Sequence, residues 1–338
     1  FVDFNALANH SSDHNCTGAS LAPPAGGLLS IGAGIRFGLS SYTDLSAFND
    51  LTSIGAGNLT IYRLDSLSDI QFSALSSVND LAIEDNNDLA GISGLNSLLS
   101  ANDILISDHP NLTSISGMNS LETANSLTIE SNSDLSTITG FSSLDTITGD
   151  LIVNGRNGND SISSLAGLSS LRIVGGTVNF EGYENTAMSL GGGLSGLTQV
   201  ENMNFSQNWQ TTSYDFSSLT TATGYINFGR SDILTSVDLS SLQTIGSFLS
   251  LGWTDISNVD SLSNLTHAEG SIYLNDNSSL TDISGLNGLT SMGSGAVVYL
   301  DNKNYTTKAG AGSWLCLSGP QAVTYPSNTS ISRSLYCD

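Results

Sequence analysis

The chain has 338 residues, of which 39% are hydrophobic and only 12% charged, enough apolar material for one large core or two ordinary ones. Its 31 acidic residues outnumber 8 basic ones, for a net charge of −23. Such a field repels nucleic acid and anionic membrane surfaces, and no apolar run approaches the ~20 residues that insertion across a bilayer requires.

From the N-terminus, FVDFNALANHSSDHNCTGASLAPPAGG opens on an apolar stretch through Phe1, Val2 and Phe4, then turns polar around Cys16. Pro23-Pro24 and the glycine pair read as a linker, so residues 1–26 are expected to form an arm and linker. Phe1 is not an initiator residue, which points to a processed mature product or a fragment. The arm has two expected uses: a cap folded over its own chain, or a strand added to the exposed edge of a neighbour. Phe1, Val2, Phe4 and Cys16 are the candidate interchain contacts. His10, Asp13, His14 and Cys16 cluster loosely, but their spacing matches no strong zinc pattern and they read as surface polar residues.

From residue 44 a short block, Gly/Asp-apolar-x-x-apolar, keeps returning: DLSAF (44), QFSAL (71), GLNSL (94), GMNSL (117), GFSSL (140) and GLSSL (167). It continues as GLSGL (193), DFSSL (215), DLSSL (238), SLSNL (261) and GLNGL (285), at intervals of 22 to 27 residues. A period near 23 that absorbs occasional extra residues marks a solenoid whose loops take the insertions. Some 10–15 residues after each block starts comes an apolar-x-apolar triplet, from LTI (59) and LAI (81) to IYL (272) and VYL (298). Alternation over so few residues predicts a short strand with its flanking side chains inward. A polar turn rich in Asn, Asp and Ser follows, then Leu-x-x-Ile, as in NLTSI (111). The expected fold is therefore all-β: a right-handed parallel β-solenoid of about eleven coils over residues 27–300, with terminal caps. At ~4.8 Å per coil it would be roughly 50 Å long.

The segment GMNSLETANSLTIESNSDLSTI (117–138) resembles receptor L domains, leucine-rich-repeat-like solenoids also found in fungal cell-wall-organisation glycoproteins and secreted repeat proteins. The resemblance covers about residues 44–300. It implies architecture, while receptors, wall proteins and surface scaffolds all use it. The chain lacks the cysteine-rich modules that separate L domains in receptor ectodomains, which argues against a signalling receptor.

Residues 301–338 hold Trp314, Leu315, Tyr325 and Tyr336 together with Cys316 and Cys337. A disulfide-closed C-terminal cap with a Cys316–Cys337 bond is expected, leaving Cys16 as a free thiol or an interchain partner. Ten sequons make N-glycosylation candidates of Asn9, Asn15, Asn58, Asn111, Asn159, Asn204, Asn264, Asn277, Asn304 and Asn328. A chain this rich in Asn, Ser and Thr produces a comparable number by chance. It is the combination of sequons, a non-initiator start, scarce lysine and terminal cysteines that points to a secreted or cell-surface location.

No nucleophile elbow or phosphate loop occurs, and Arg63, Arg156, Arg172 and Arg230 are spread too widely for a sugar-acid lyase. The expectation is therefore no enzyme, no catalytic residues and no cofactor. Turns such as EDNND (84–88) offer the oxygen ligands that calcium takes, and they read as solvated. The outward residue of each triplet runs Thr60, Ala82, Leu105, Thr128, Ile152, Asn179, Asn204, Asn227, Ser250, Tyr273 and Tyr299. Tyr273 and Tyr299 mark a possible binding face at its end. The leading expectation is an extracellular structural glycoprotein, a self-assembling subunit of a fibril, appendage, wall or matrix, with covalent glycans. The alternative is a recognition or adhesion module that binds carbohydrate or protein along one solenoid face.

Overall fold

A computed structural model describes residues 14–16, 30–31, 34–38, 42–184 and 192–300. The fold is an all-β parallel solenoid of about eleven turns with almost no helix, as the repeat predicts. It divides into two compact units, Phe1–Val174 with Gly191–Leu194, and Gly175–Leu190 with Ser195–Asp338. The C-terminal segment with Cys316, Cys337, Asn304 and Asn328 lies outside the described residues, as do Phe1, Val2, Phe4 and Asn9.

In the first unit each coil has three short sides. The triplets form the longest: Leu59–Tyr62, Leu81–Glu84, Asp103–Ser107, Ser126–Glu130 and Leu151–Val153 pair in parallel, each with the next. Their register steps by about one period, Leu105 facing Ala82 on one side and Thr128 on the other. The Leu-x-x-Ile segments give a second side through Asp69–Gln71, Gly91–Gly94, Ser114–Ile115 and Thr137–Ile138. The third is built from Ser53–Ile54 and Ser77–Val78, and later from Thr123–Ala124 and Thr146–Ile147. Strand His14–Cys16 pairs in parallel with Ile35–Gly38, so this part of the arm sits on the sheet edge of its own chain.

The recurring block is a tight turn. The N–H of its second apolar residue donates to the carbonyl of the first, as Leu98 does to Leu95, Leu121 to Met118 and Leu144 to Phe141. A three-residue turn brings positions i and i+3 to the same side, so both side chains point inward. In four coils among the described residues the turn is regular enough to be a 3₁₀ segment, for instance Ser46–Phe48 and Ser284–Gly288. Stacking then puts like on like. Leu59, Leu81, Ile104, Leu127 and Leu151 are essentially inaccessible, as are Ile61, Ile83, Ile106, Ile129 and Val153. Each contributes about 1.5–3 kcal/mol by leaving water.

In the second unit Gln199–Asn204 pairs with both Thr221–Ala222 and Ile226–Asn227, doing alone what two short strands do in later coils. Two ladders continue from there, through Thr244–Ile245, His267–Ala268 and Ser291–Met292, and through Leu249–Ser250, Ile272–Tyr273 and Val298–Tyr299. Its core is more aromatic. Phe205 lies 5.2 Å from Phe180, 5.1 Å from Phe216 and 5.7 Å from Phe228, with Tyr214 set edge-on at 5.2 Å.

A polar ladder runs inside each unit. In the first, Asn86, His109, Asn132 and Asn159 are fully buried at one corner. Each asparagine Oδ1 accepts a backbone N–H from the coil before: Leu64 to Asn86, His109 to Asn132, Asn132 to Asn159. Each Nδ2 donates to a carbonyl of that preceding coil, at Ile61, Ile106 and Ile129. His109 copies the pattern with a ring. Its Nδ1 accepts the Asn86 N–H at 3.1 Å and its Nε2 lies 3.0 Å from the Ile83 carbonyl, which requires the neutral, Nε2-protonated tautomer. Burial holds its pKa below the usual 6.5, against opposing pulls from the Ile83 carbonyl and from Asp108 and Asp85. In the second unit Asn208, Ser231, Thr254 and Asn277 fill the same corner. Buried backbone groups at a corner need partners, and this column supplies them.

Candidate functional site

The outward face of the second unit's triplet strands carries a groove of about 500 Å³. Its floor follows the column Asn204, Asn227, Ser250, Tyr273, whose members face one another in register. Two residues further along the strands the column reads Ser206, Gly229, Gly252, Asn275. Both glycines are buried where adjacent coils approach closely, and Gly229 lines the groove. A Cβ on Gly229 would lie 2.9 Å from Ser250 Oγ and 3.1 Å from the Gly252 carbonyl, and one on Gly252 2.9 Å from Asn275 Oδ1.

One flank is aromatic. Phe248 stacks on Tyr225 at 5.0 Å with planes 3° apart, and meets Tyr273 edge-on at 6.1 Å. Tyr273 in turn stacks on Tyr299 at 4.8 Å and 2°. The two tyrosines singled out from sequence thus come together, with one face of each covered by the other, and only Tyr273 lines the groove. The other flank is formed by Arg230 and Trp253, the guanidinium carbon 5.5 Å from the centroid of the indole. Both occupy a left-handed corner, φ 60° and 54°, as do Gln207 and Asp276 in the adjacent coils. The conformation belongs to the solenoid corner rather than to this site alone. Trp253 is 47% exposed.

The near end of the groove is organised by Glu181. Its Oε2 accepts from Asn204 Nδ2 and its Oε1 from Gln207 Nε2, both at 2.9 Å. Asn204 Oδ1 accepts from Ser206 Oγ at 2.8 Å, from the Ser206 N–H at 3.3 Å and from Asn227 Nδ2 at 3.2 Å. Asn227 Oδ1 accepts the Gly229 N–H at 3.1 Å. A row of planar amides and one carboxylate, bordered by aromatic rings, suits a ligand with many hydroxyl groups and apolar ring faces.

The remaining sequon asparagines fall into two classes. Asn58, Asn111 and Asn264 are exposed on turns. Asn159 and Asn277 are ladder residues with no accessible surface, and Asn277 Nδ2 donates to both Leu251 and Leu274 carbonyls. The folded chain has no room for a glycan at either. Asn15 and Cys16 lie in the strand His14–Cys16, of which only the backbone is described. Among the described residues, no three His, Cys, Asp or Glu side chains gather as a metal site. In the EDNND turn, Asp85 pairs with Arg63 at 2.5 Å and Asn86 belongs to the ladder. No helix among the described residues is long and apolar enough to cross a membrane.

The sequence reading missed the ladder and the groove. A signal for the ladder existed, because Asn86, His109, Asn132, Asn208, Ser231, Thr254 and Asn277 all stand five residues after the first member of their triplet. No family model matches the sequence, and no curated protein matches it.

Proposed function

We propose that this chain is an extracellular structural glycoprotein of the receptor L-domain-like kind, a subunit of a fibril, appendage, wall or matrix that assembles with copies of itself through its N-terminal arm. The observation that supports this reading is the strand His14–Cys16, which pairs with the edge strand Ile35–Gly38 through backbone hydrogen bonds and in register. Backbone pairing is indifferent to which copy supplies the strand. A neighbour's residues 14–16 make the same contacts with Ile35–Gly38, so exchange of the arm conserves them while linking two molecules. The linker with Pro23-Pro24 and the following glycines separates arm from coil in the sequence, as such an exchange requires. Passed from each copy to the next without reciprocation, such a link does not close on itself and builds a filament, whereas a reciprocal exchange closes as a dimer. The excess of acidic residues keeps solenoid flanks apart by mutual repulsion and leaves the ends as the favoured contact.

The test is electron microscopy of the secreted protein, intact and without residues 1–20. Filaments that disappear on truncation support the reading. Separate particles of one chain in both samples overturn it.

A further inference from the structure

We propose that the groove of the second unit is the seat of an N-linked oligosaccharide attached to Asn204 of the same chain. The proposal rests on the secreted-glycoprotein reading above, and it gives the glycan at one sequon a seat on the folded chain.

Asn204, Phe205 and Ser206 form a sequon whose first and third residues both line the groove. The Ser206 hydroxyl donates to Asn204 Oδ1, which fixes the amide plane. The amide nitrogen has two hydrogens, and Glu181 Oε2 takes one. Attachment replaces only one hydrogen, so the glycosylated nitrogen keeps a donor for Glu181. In the coupling itself, Nδ2 displaces a diphosphate from the anomeric carbon of an activated glycosyl diphosphate. One C–N bond forms, one C–O bond breaks, and the Nδ2 proton passes to base; no oxidant or reductant is involved. Asn277 contrasts with this, since both of its amide hydrogens are spent on buried carbonyls.

From Asn204 the groove runs three coils to Tyr273, about 14 Å at the spacing of parallel strands. That length accommodates the first two or three pyranose rings of a glycan leaving Nδ2. Asn227, Gly229 and Ser250 line that path with small or planar groups. Phe248 and Tyr273 on one flank and Trp253 on the other present apolar surface to the C–H faces of a sugar. Arg230 and Asn275 stand at the rim to meet hydroxyl groups. A half-exposed tryptophan at a turn corner that elsewhere holds Arg, Asp, Ser or Gln is accounted for once a sugar ring covers it.

The experiment is native deglycosylation of the full chain from a secreting eukaryotic host, followed by glycopeptide mass spectrometry. Asn58, Asn111 and Asn264, all exposed, serve as internal references. Asn204 should be occupied, and a peptide-N-glycosidase should release its glycan at least tenfold more slowly than the reference glycans in the folded protein. After denaturation the rates should be equal. Trp253→Ala, a change at an exposed position, should remove most of the difference without altering the references. An unmodified Asn204 beside occupied references overturns the proposal alone, and so does equally fast release in the folded state. If an added oligosaccharide binds a chain unmodified at Asn204, the groove belongs to an external ligand and the proposal is wrong. If no sequon is occupied, the secreted-glycoprotein reading fails and this proposal fails with it.

Discussion

Replacing His109 tests the ladder at the one place where a ring stands in for an amide. His109→Ala removes both of its contacts, leaving the Asn86 N–H buried without a partner and the Ile83 carbonyl with only its strand hydrogen bond. An orphaned buried N–H costs about 1–3 kcal/mol, before any cavity or the lost second bond to Ile83 is counted. His109→Asn should behave differently, because asparagine fills the same slot at Asn86, Asn132 and Asn159. Its Oδ1 and Nδ2 can replace Nδ1 and Nε2, and the smaller side chain should cost about 1 kcal/mol. The two variants also separate by pH. The folded chain holds His109 neutral with a pKa below 6.5, whereas the unfolded chain takes up a proton near 6.5. Below that pH the unfolded state binds more protons, so the wild type loses up to about 1.4 kcal/mol per pH unit until the depressed folded value is reached. The contribution is complete above 6.5. Urea unfolding from pH 7.5 to 5, followed by far-UV circular dichroism, gives the difference between wild type and His109→Asn with other titrations cancelled. That difference should shift in favour of the asparagine variant as pH falls. A difference that stays constant, or a cost under 1 kcal/mol for His109→Ala, refutes the ladder argument.

Gly140→Ala would place a Cβ 2.1 Å from the Gly117 carbonyl oxygen and push two coils apart, whereas at Gly91 the nearest atom is an Asp69 carboxylate oxygen at 3.9 Å. Urea midpoints should show a loss of about 1–3 kcal/mol for the first and little change for the second. Tyr214, buried with its hydroxyl 2.6 Å from Asn208 Nδ2, has its pKa pushed up to about 12 by burial. Alkaline ultraviolet titration of the folded protein should show a phenol ionising near that value and absent from Tyr214→Phe. The stability tied to this group is intact below pH 10 and is lost as pH rises toward 12.

Much of the fold could be read from spacing because a solenoid repeats one small solution. Leu112, Ile115, Leu121, Leu127 and Ile129 return 23 residues later or nearly so, and their copies lie one coil away. The ladder escaped notice because hydrogen-bonding capacity, not residue type, is what repeats. Asparagine, histidine, serine and threonine all satisfy a corner N–H, and a search for identical letters sees only fragments. Asn159 and Asn277 looked like glycan acceptors because a sequon records residue type and not burial. The groove was hidden for another reason. Tyr273 and Tyr299 were visible as the outward column of a strand, but the groove beside them is bounded by Glu181, Gly229, Arg230 and Trp253 on other columns. A cavity depends on several columns at once, and one column cannot show it.

The coil that ends at Asn159 carries extra residues, which the five-residue π-turn Gly155–Asn159 takes up. Asn159 still reaches Asn132 and Ile129, and Ile162 resumes the core. The insertion is therefore cancelled before the next side begins. This makes the corner before each ladder residue a graft point: foreign peptide can be spliced there, and the next asparagine returns the chain to phase. Coils could be lengthened one at a time by this route, giving a scaffold whose display loops are chosen independently of its core.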